Sequence, residues 1–155
     1  MYWRNATYIG YVASLLALTA CGRLCAAQIA ISHTSDMSFG QVVSSTFGGT
    51  VSISTAGIRT ASGIAVVPSS SSSRAVFEVT GDNNTTYAIT LPSSVALSGS
   101  GPDMTLDTFV SNPSDTGLLN GVGAQTLYVG ATLHVSANQQ AGAYNGTMDV
   151  SVAYN

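Results

Sequence analysis

Residues 126–137 read Thr-Leu-Tyr-Val-Gly-Ala-Thr-Leu-His-Val-Ser-Ala, and their alternation decides the fold. Leu127, Val129, Ala131, Leu133, Val135 and Ala137 fall on one face of an extended chain, with Tyr128, Gly130, Thr132, His134 and Ser136 on the other. Successive side chains of a strand point to opposite faces, so a period of two with one apolar set predicts a strand half-buried against a core. The last residues repeat the scheme, with Met148, Val150, Val152 and Tyr154 against Thr147, Asp149, Ser151 and Ala153.

Working outward, Val51 and Ile53 alternate with Ser and Thr, and Ala75, Phe77 and Val79 alternate with Val76, Glu78 and Thr80. Tyr87, Ile89 and Leu91 alternate with Ala88 and Thr90. Residues 64–67 form a short apolar run that reads as a buried strand, and residues 95–97 and 104–109 are weaker strand candidates. Turn residues punctuate these runs at Gly48-Gly49, Pro68, Gly81-Asp82, Pro92, Gly101-Pro102, Asn112-Pro113 and Asn120-Gly121. No amphipathic helix follows the leader. About seven to nine short strands at this spacing predict an all-β, immunoglobulin-like antiparallel β-sandwich occupying residues 28–155 as one domain. Phe77, Val79, Tyr87, Ile89, Leu127, Val129, Leu133, Val150 and Val152 are its predicted core.

Only 7% of the 155 residues are charged, while 45% are hydrophobic. The polar surface must therefore be built from Ser, Thr, Asn, Gln and Gly, which suits strands and turns better than exposed helices. There is no lysine, and the basic residues are Arg4, Arg23, Arg59 and Arg74. Beyond residue 27, two arginines face seven acids, a net charge of −5. Without a basic stripe to neutralise phosphates, nucleic acid and anionic membrane are excluded as expected partners.

Residues 1–27 read as a secretory signal. Arg4 supplies positive charge, residues 8–20 are apolar, and Cys25-Ala26-Ala27 offers small residues before Gln28. The apolar run falls short of the roughly 20 residues of a membrane-spanning helix. A rival cut lies at Leu18-Thr19-Ala20-Cys21, which resembles a bacterial lipobox and would place a lipid anchor on Cys21. The expected location is exported: cell surface, extracellular or periplasmic. Cleavage after Ala27 removes both cysteines, so the fold is expected to stand on its core without a disulfide.

Residues that invite a catalytic reading lack the pattern for it. His33 and His134 are the only histidines. Gly99-Ser100-Gly101 lacks the strand-to-helix setting of a nucleophile elbow. Asp103, Asp107 and Asp115 share a loop-rich stretch, but their spacing departs from that of a calcium loop. Asn84-Thr85-Thr86 and Asn145-Gly146-Thr147 match the glycosylation pattern and read, behind a bacterial leader, as turns. No catalytic residue, metal or cofactor is assigned.

Met37-Ser38-Phe39-Gly40, Gly49-Thr50-Val51-Ser52-Ile53, Gly57-Ile58-Arg59, Phe77-Glu78-Val79-Thr80-Gly81, Tyr87-Ala88-Ile89-Thr90-Leu91-Pro92, 127–133 and Gly142-Ala143-Tyr144-Asn145-Gly146 together resemble the exported bacterial family labelled domain of unknown function 4402. That resemblance implies a leader and a sandwich, and no established activity. The C-terminus is also similar to subunits of chaperone-usher pili, with Tyr154 penultimate and Gly142 fourteenth from the end. In those pilins the last strand pairs with a periplasmic chaperone, and the N-terminal arm of the next subunit completes the sandwich. The likeness implies a final assembly strand over residues 142–155, carried by Gly142, Tyr144, Met148, Val150, Val152 and Tyr154, and an arm carrying Ile29 and Ile31.

The sequence thus leads to a non-catalytic exported structural or adhesion-type protein, a fimbria-like subunit that pairs with identical or related subunits. The alternative is a monomeric surface or periplasmic module that binds a ligand or glycan through loops at residues 98–107 or 112–123.

Overall fold

The structure, a computed structural model, describes residues 27–155. The expected leader, both cysteines and the two alternative cleavage sites lie outside the described residues, except for Ala27 itself. Thirteen strands follow: β1 (Ala30–Ser35), β2 (Val42–Val43), β3 (Gly49–Ile53), β4 (Arg59–Ser62), β5 (Ala65–Val66), β6 (Ala75–Thr80) and β7 (Thr86–Thr90). After these come β8 (Ser94–Gly99), β9 (Met104–Asn112), β10 (Thr116–Leu118), β11 (Ala124–Val135), β12 (Tyr144–Asn145) and β13 (Ser151–Tyr154).

The stretch that opened the sequence reading becomes β11, the longest strand, and the large sheet is organised around it. One side of β11 pairs antiparallel with β9, from Tyr128↔Asn112 to His134↔Thr105. The other side pairs first with β6 over residues 124–129 and then with β3 over residues 131–135. Gly130 stands at the change of partner, with the Ile53 carbonyl so close that a Cβ built there would lie 2.1 Å from the oxygen. The full sheet runs β1-β6-β11-β9-β8-β12, with β3 and β4 joined through β11. A second sheet, β10-β7-β13, and a two-stranded ribbon, β2-β5, complete the architecture.

Apolar faces of the two larger sheets meet in one core. Leu127, Val129 and Leu133 of β11, Val79 of β6, Leu97 of β8 and Leu106 of β9 have no exposed surface, nor has Tyr87 of β7. Each such side chain removed from water contributes roughly 1.5–3 kcal/mol, so this interior holds the sheets together without a disulfide. Gly117 lies opposite Tyr87 across the β10-β7 pair, and a Cβ there would sit 2.2 Å from the buried phenol ring. Glycine at 117 therefore makes room for the buried Tyr87 ring beside its neighbouring strand. Burial, and secondly the nearby Glu78 charge, raise the Tyr87 hydroxyl above its ordinary pKa.

The expected all-β immunoglobulin-like sandwich is what the structure shows, although the described residues form thirteen strands, several of only two or three residues, where about seven to nine were expected. Seven of the nine predicted core residues are buried, while Ile89 and Val152 are half-buried against the cluster. Two expectations are corrected. Residues 64–67 do not form a buried strand; β5 is a two-residue edge of the small ribbon, with Ala65 exposed. Residues 142–155 are not one strand either. β12 pairs with β8 in the large sheet and β13 pairs with β7 in the small one. Between them Met148 and Val150 are buried as the chain crosses from sheet to sheet. The apolar alternation runs on through this break because both sheets face the same core.

The candidate arm also has a place. β1 pairs with β6 of its own domain, including Ile31↔Val79, and Ile29 and Ile31 pack half-buried on the core. Tyr154 ties this edge to the end of the chain: its hydroxyl donates to the Ala27 carbonyl (2.8 Å) and accepts from the Asp82 backbone N–H (2.6 Å).

Candidate functional site

At the end of the sandwich where β11 finishes and β9 begins, the loops enclose a cleft of about 400 Å³. Met104 and Val135 form its base, residues 40–44 with Val67 one wall, and residues 139–142 with Tyr144 the other. Ligand pockets commonly run from roughly 300 to 1,000 Å³, so this volume suits a small molecule.

The first wall is held from behind by Arg59 of β4. Its Nη1 donates to the Phe39 carbonyl and the Ser70 Oγ, both at 3.0 Å, and its Nη2 donates to the Val67 carbonyl at 2.9 Å. Ser70 Oγ in turn accepts from the Gln41 N–H (3.0 Å), and the Val67 N–H donates to the Gln41 carbonyl (3.0 Å). The planar guanidinium thus serves as a fork that joins two loops. A residue that enters the sequence reading as a charge and as part of a family motif is the scaffold of this wall.

The second wall is a turn built on Gln139 and Tyr144, which are only 7% and 2% exposed. Gln139 Nε2 donates to the Pro102 carbonyl (2.5 Å) and to the Tyr144 hydroxyl (2.9 Å), and that hydroxyl donates to the Gln140 carbonyl (2.8 Å). The other end of the same amide, Gln139 Oε1, is buried with no hydrogen-bond partner among the described residues. An orphaned buried acceptor forfeits roughly 1–3 kcal/mol of desolvation energy, so its retention calls for a reason. The walls are joined by the Asn138 N–H, which donates to the Ser45 carbonyl (2.8 Å).

Gly142 and Tyr144 of the expected assembly strand line this cleft. Met148 and Val150 fill the core, Val152 and Tyr154 lie on β13, and Ile29 and Ile31 sit on the β1 edge. The structure therefore does not bring the six together on one strand. Of the loops expected to bind, residues 98–107 contribute Met104 to the cleft, and residues 112–123 contribute nothing.

The aspartates are likewise dispersed. Asp107 on β9 accepts from Thr108 Oγ1 (2.9 Å) and lies 2.9 Å from His134 Nε2. Asp115 offers its carbonyl to the Ile89 N–H (2.8 Å). Among the described residues no three of His, Cys, Asp and Glu are grouped to hold a metal. His33 and Asp36 form a second surface pair at 3.0 Å, and Arg74 lies over the Tyr128 ring. Among the described residues, no helix is long and apolar enough to cross a membrane.

Asp107 gives a pH prediction. The His134 hydrogen bond, then that of Thr108, hold its carboxyl below the ordinary aspartate value. A depressed folded-state pKa contributes stability above the unfolded value that is lost as pH falls through the folded one. NMR titration of the Asp107 carboxyl should show the depression, and His134→Ala should move it back up; an unmoved value would exclude His134 as the cause.

Chemically, the cleft presents amides, hydroxyls and aliphatic groups, and its lining includes no carboxylate, imidazole, guanidinium or thiol. Such a surface can accept, donate and exclude water. No curated protein and no solved structure matches the chain. The family described as domain of unknown function DUF4402 matches residues 29–154, every residue from the first described strand to the last, and the chain belongs to that family.

Proposed function

We propose that this protein is a non-catalytic, exported domain of structural or adhesion type that works as a self-contained unit. The observation that carries the reading is the position of β1. Its pairing with β6, the contact of Ile29 and Ile31 with the core, and the Tyr154 tie to Ala27 leave the arm engaged within its own domain. A pilin-like subunit instead keeps its arm free for a neighbour. Export is supported by the leader pattern of residues 1–27 and by the lysine-free, acidic remainder. A binding role is supported by the cleft, whose lining is uncharged.

Size-exclusion chromatography of protein exported by a bacterial host tests the reading. The expected result is a stable monomer, and Ile29→Asp with Ile31→Asp should lower its stability by about 1–3 kcal/mol for each apolar side chain lost from the interior. Polymers that disappear in the double variant while each subunit stays folded would instead establish strand exchange between copies.

A further inference from the structure

We propose that the cleft between residues 40–44 and 139–144 binds a neutral, hydroxyl-rich ligand, a single uncharged sugar unit such as the end of a glycan. This deepens the binding role and requires only that the folded domain be present.

Three observations converge on that chemistry. The first is charge. No ionic side chain lines the cleft: Arg59, behind one wall, spends its hydrogen bonds on two carbonyls and a hydroxyl, and Arg74 is engaged with the Thr55 carbonyl and the Tyr128 ring. A charged ligand entering here would lose its hydration without a direct ion pair in return.

The second observation is the unspent acceptor. Gln139 is nine-tenths buried and lines the cleft, yet its Oε1 has no partner while its Nε2 has two. Only an O–H or N–H donor can satisfy it. An aliphatic ligand would leave the orphan as it is.

The third is the distribution of the lining. Val42, Val67, Met104 and Val135 supply an apolar surface, and the side chains of Gln41, Ser44 and Gln140 supply hydrogen-bonding groups. A pyranose has this same division, with C–H faces and a hydroxyl rim that both donates and accepts. Sites of this kind fix orientation with a few placed polar groups on a mostly apolar lining.

Titrating the isotope-labelled exported protein with neutral monosaccharides, and in parallel with glucuronate and a neutral dipeptide amide, tests the assignment by NMR. At least one neutral sugar at tens of millimolar should shift the Gln139 and Gln140 side-chain amides and the backbone of residues 40–44. Glucuronate, whose carboxylate would lose its hydration, should bind about tenfold more weakly, and so should the dipeptide, whose few donors leave part of the polar lining unmatched. Gln139→Met should weaken the sugar by about tenfold as well. Should that variant fail to fold, Val43→Trp serves instead, since Val43 is 52% exposed on the cleft wall and a larger side chain there closes the site from outside. The assignment is overturned if no neutral sugar perturbs the cleft, if the shifts map elsewhere, if Val43→Trp binds normally, or if the dipeptide or glucuronate binds as well. Chromatography of the same samples reports separately on the self-contained domain, so one reading can fail while the other stands.

Discussion

Gly130→Val should leave no folded domain. The position is the point on β11 where its partner changes from β6 to β3, and every close neighbour there is main chain. A Cβ would meet the Ile53 oxygen at 2.1 Å and the Ser54 carbonyl carbon at 2.9 Å. A flexible side chain can swing aside from such a contact; two paired strands cannot, because moving one breaks its ladder. The cost should exceed about 4 kcal/mol, in the range reserved for severe single substitutions, against a total stability of about 5–15 kcal/mol for a domain. Gly121→Ala is the matching control, since nothing lies within 4 Å of a Cβ at that turn. Circular dichroism melts of the two purified variants should show an unfolded Gly130 variant beside a Gly121 variant that melts like the parent. A cooperative melt for Gly130→Val would mean that β3 and β6 do not meet end to end on β11.

Leu133→Ala and His134→Ala, one residue apart, should differ several-fold in their effect on stability. Leu133 has no exposed surface, and truncating a buried leucine costs about 2–5 kcal/mol through lost transfer energy and the cavity left behind. His134 is exposed, and its ring nitrogen contacts the similarly accessible Asp107, a solvent-screened surface pair whose loss should cost little. Urea midpoints of the two variants check the phase of the strand directly. The reverse ranking would shift every side chain of β11 to the opposite face.

The same phase explains what the sequence made legible. In β11, β6 and β3 nothing interrupts the alternation, and Leu127, Leu133, Phe77, Val79, Val51 and Ile53 can be assigned to the interior from spacing alone. β9 hides its role because Thr108 and Phe109 together oppose Ala131, a bulge at which Thr108 takes φ +49°. An extra residue resets the period, so Leu106 points inward while Val110, four residues on, is 44% exposed. Met37 and Phe39 were hidden differently. They flank the isolated Ser38↔Ser73 bridge, and no longer strand frames them. The cleft was the least legible feature. Its residues come from five separate stretches, and Ala-Asn-Gln-Gln-Ala-Gly at 137–142 reads as an ordinary polar turn until Tyr144 and Pro102 close around Gln139. The C-terminal alternation marks inward-facing residues but hides the break between β12 and β13, because a shared core imposes the same period on both sheets.

The three-partner pairing of β11 also sets a timetable. A chain delivered from its N-terminus, by a ribosome or through a translocation pore, has β3, β6 and β9 in hand long before residue 124 arrives. The local β3-β4 and β8-β9 hairpins can form early, but the strand that joins them is still missing. Closing loops that reach back as far as Gly49↔Val135 makes for high contact order and slow folding. Closure of the large sheet must therefore wait for β11, and the slowest amide exchange in the finished domain should belong to this strand, which is paired along both edges.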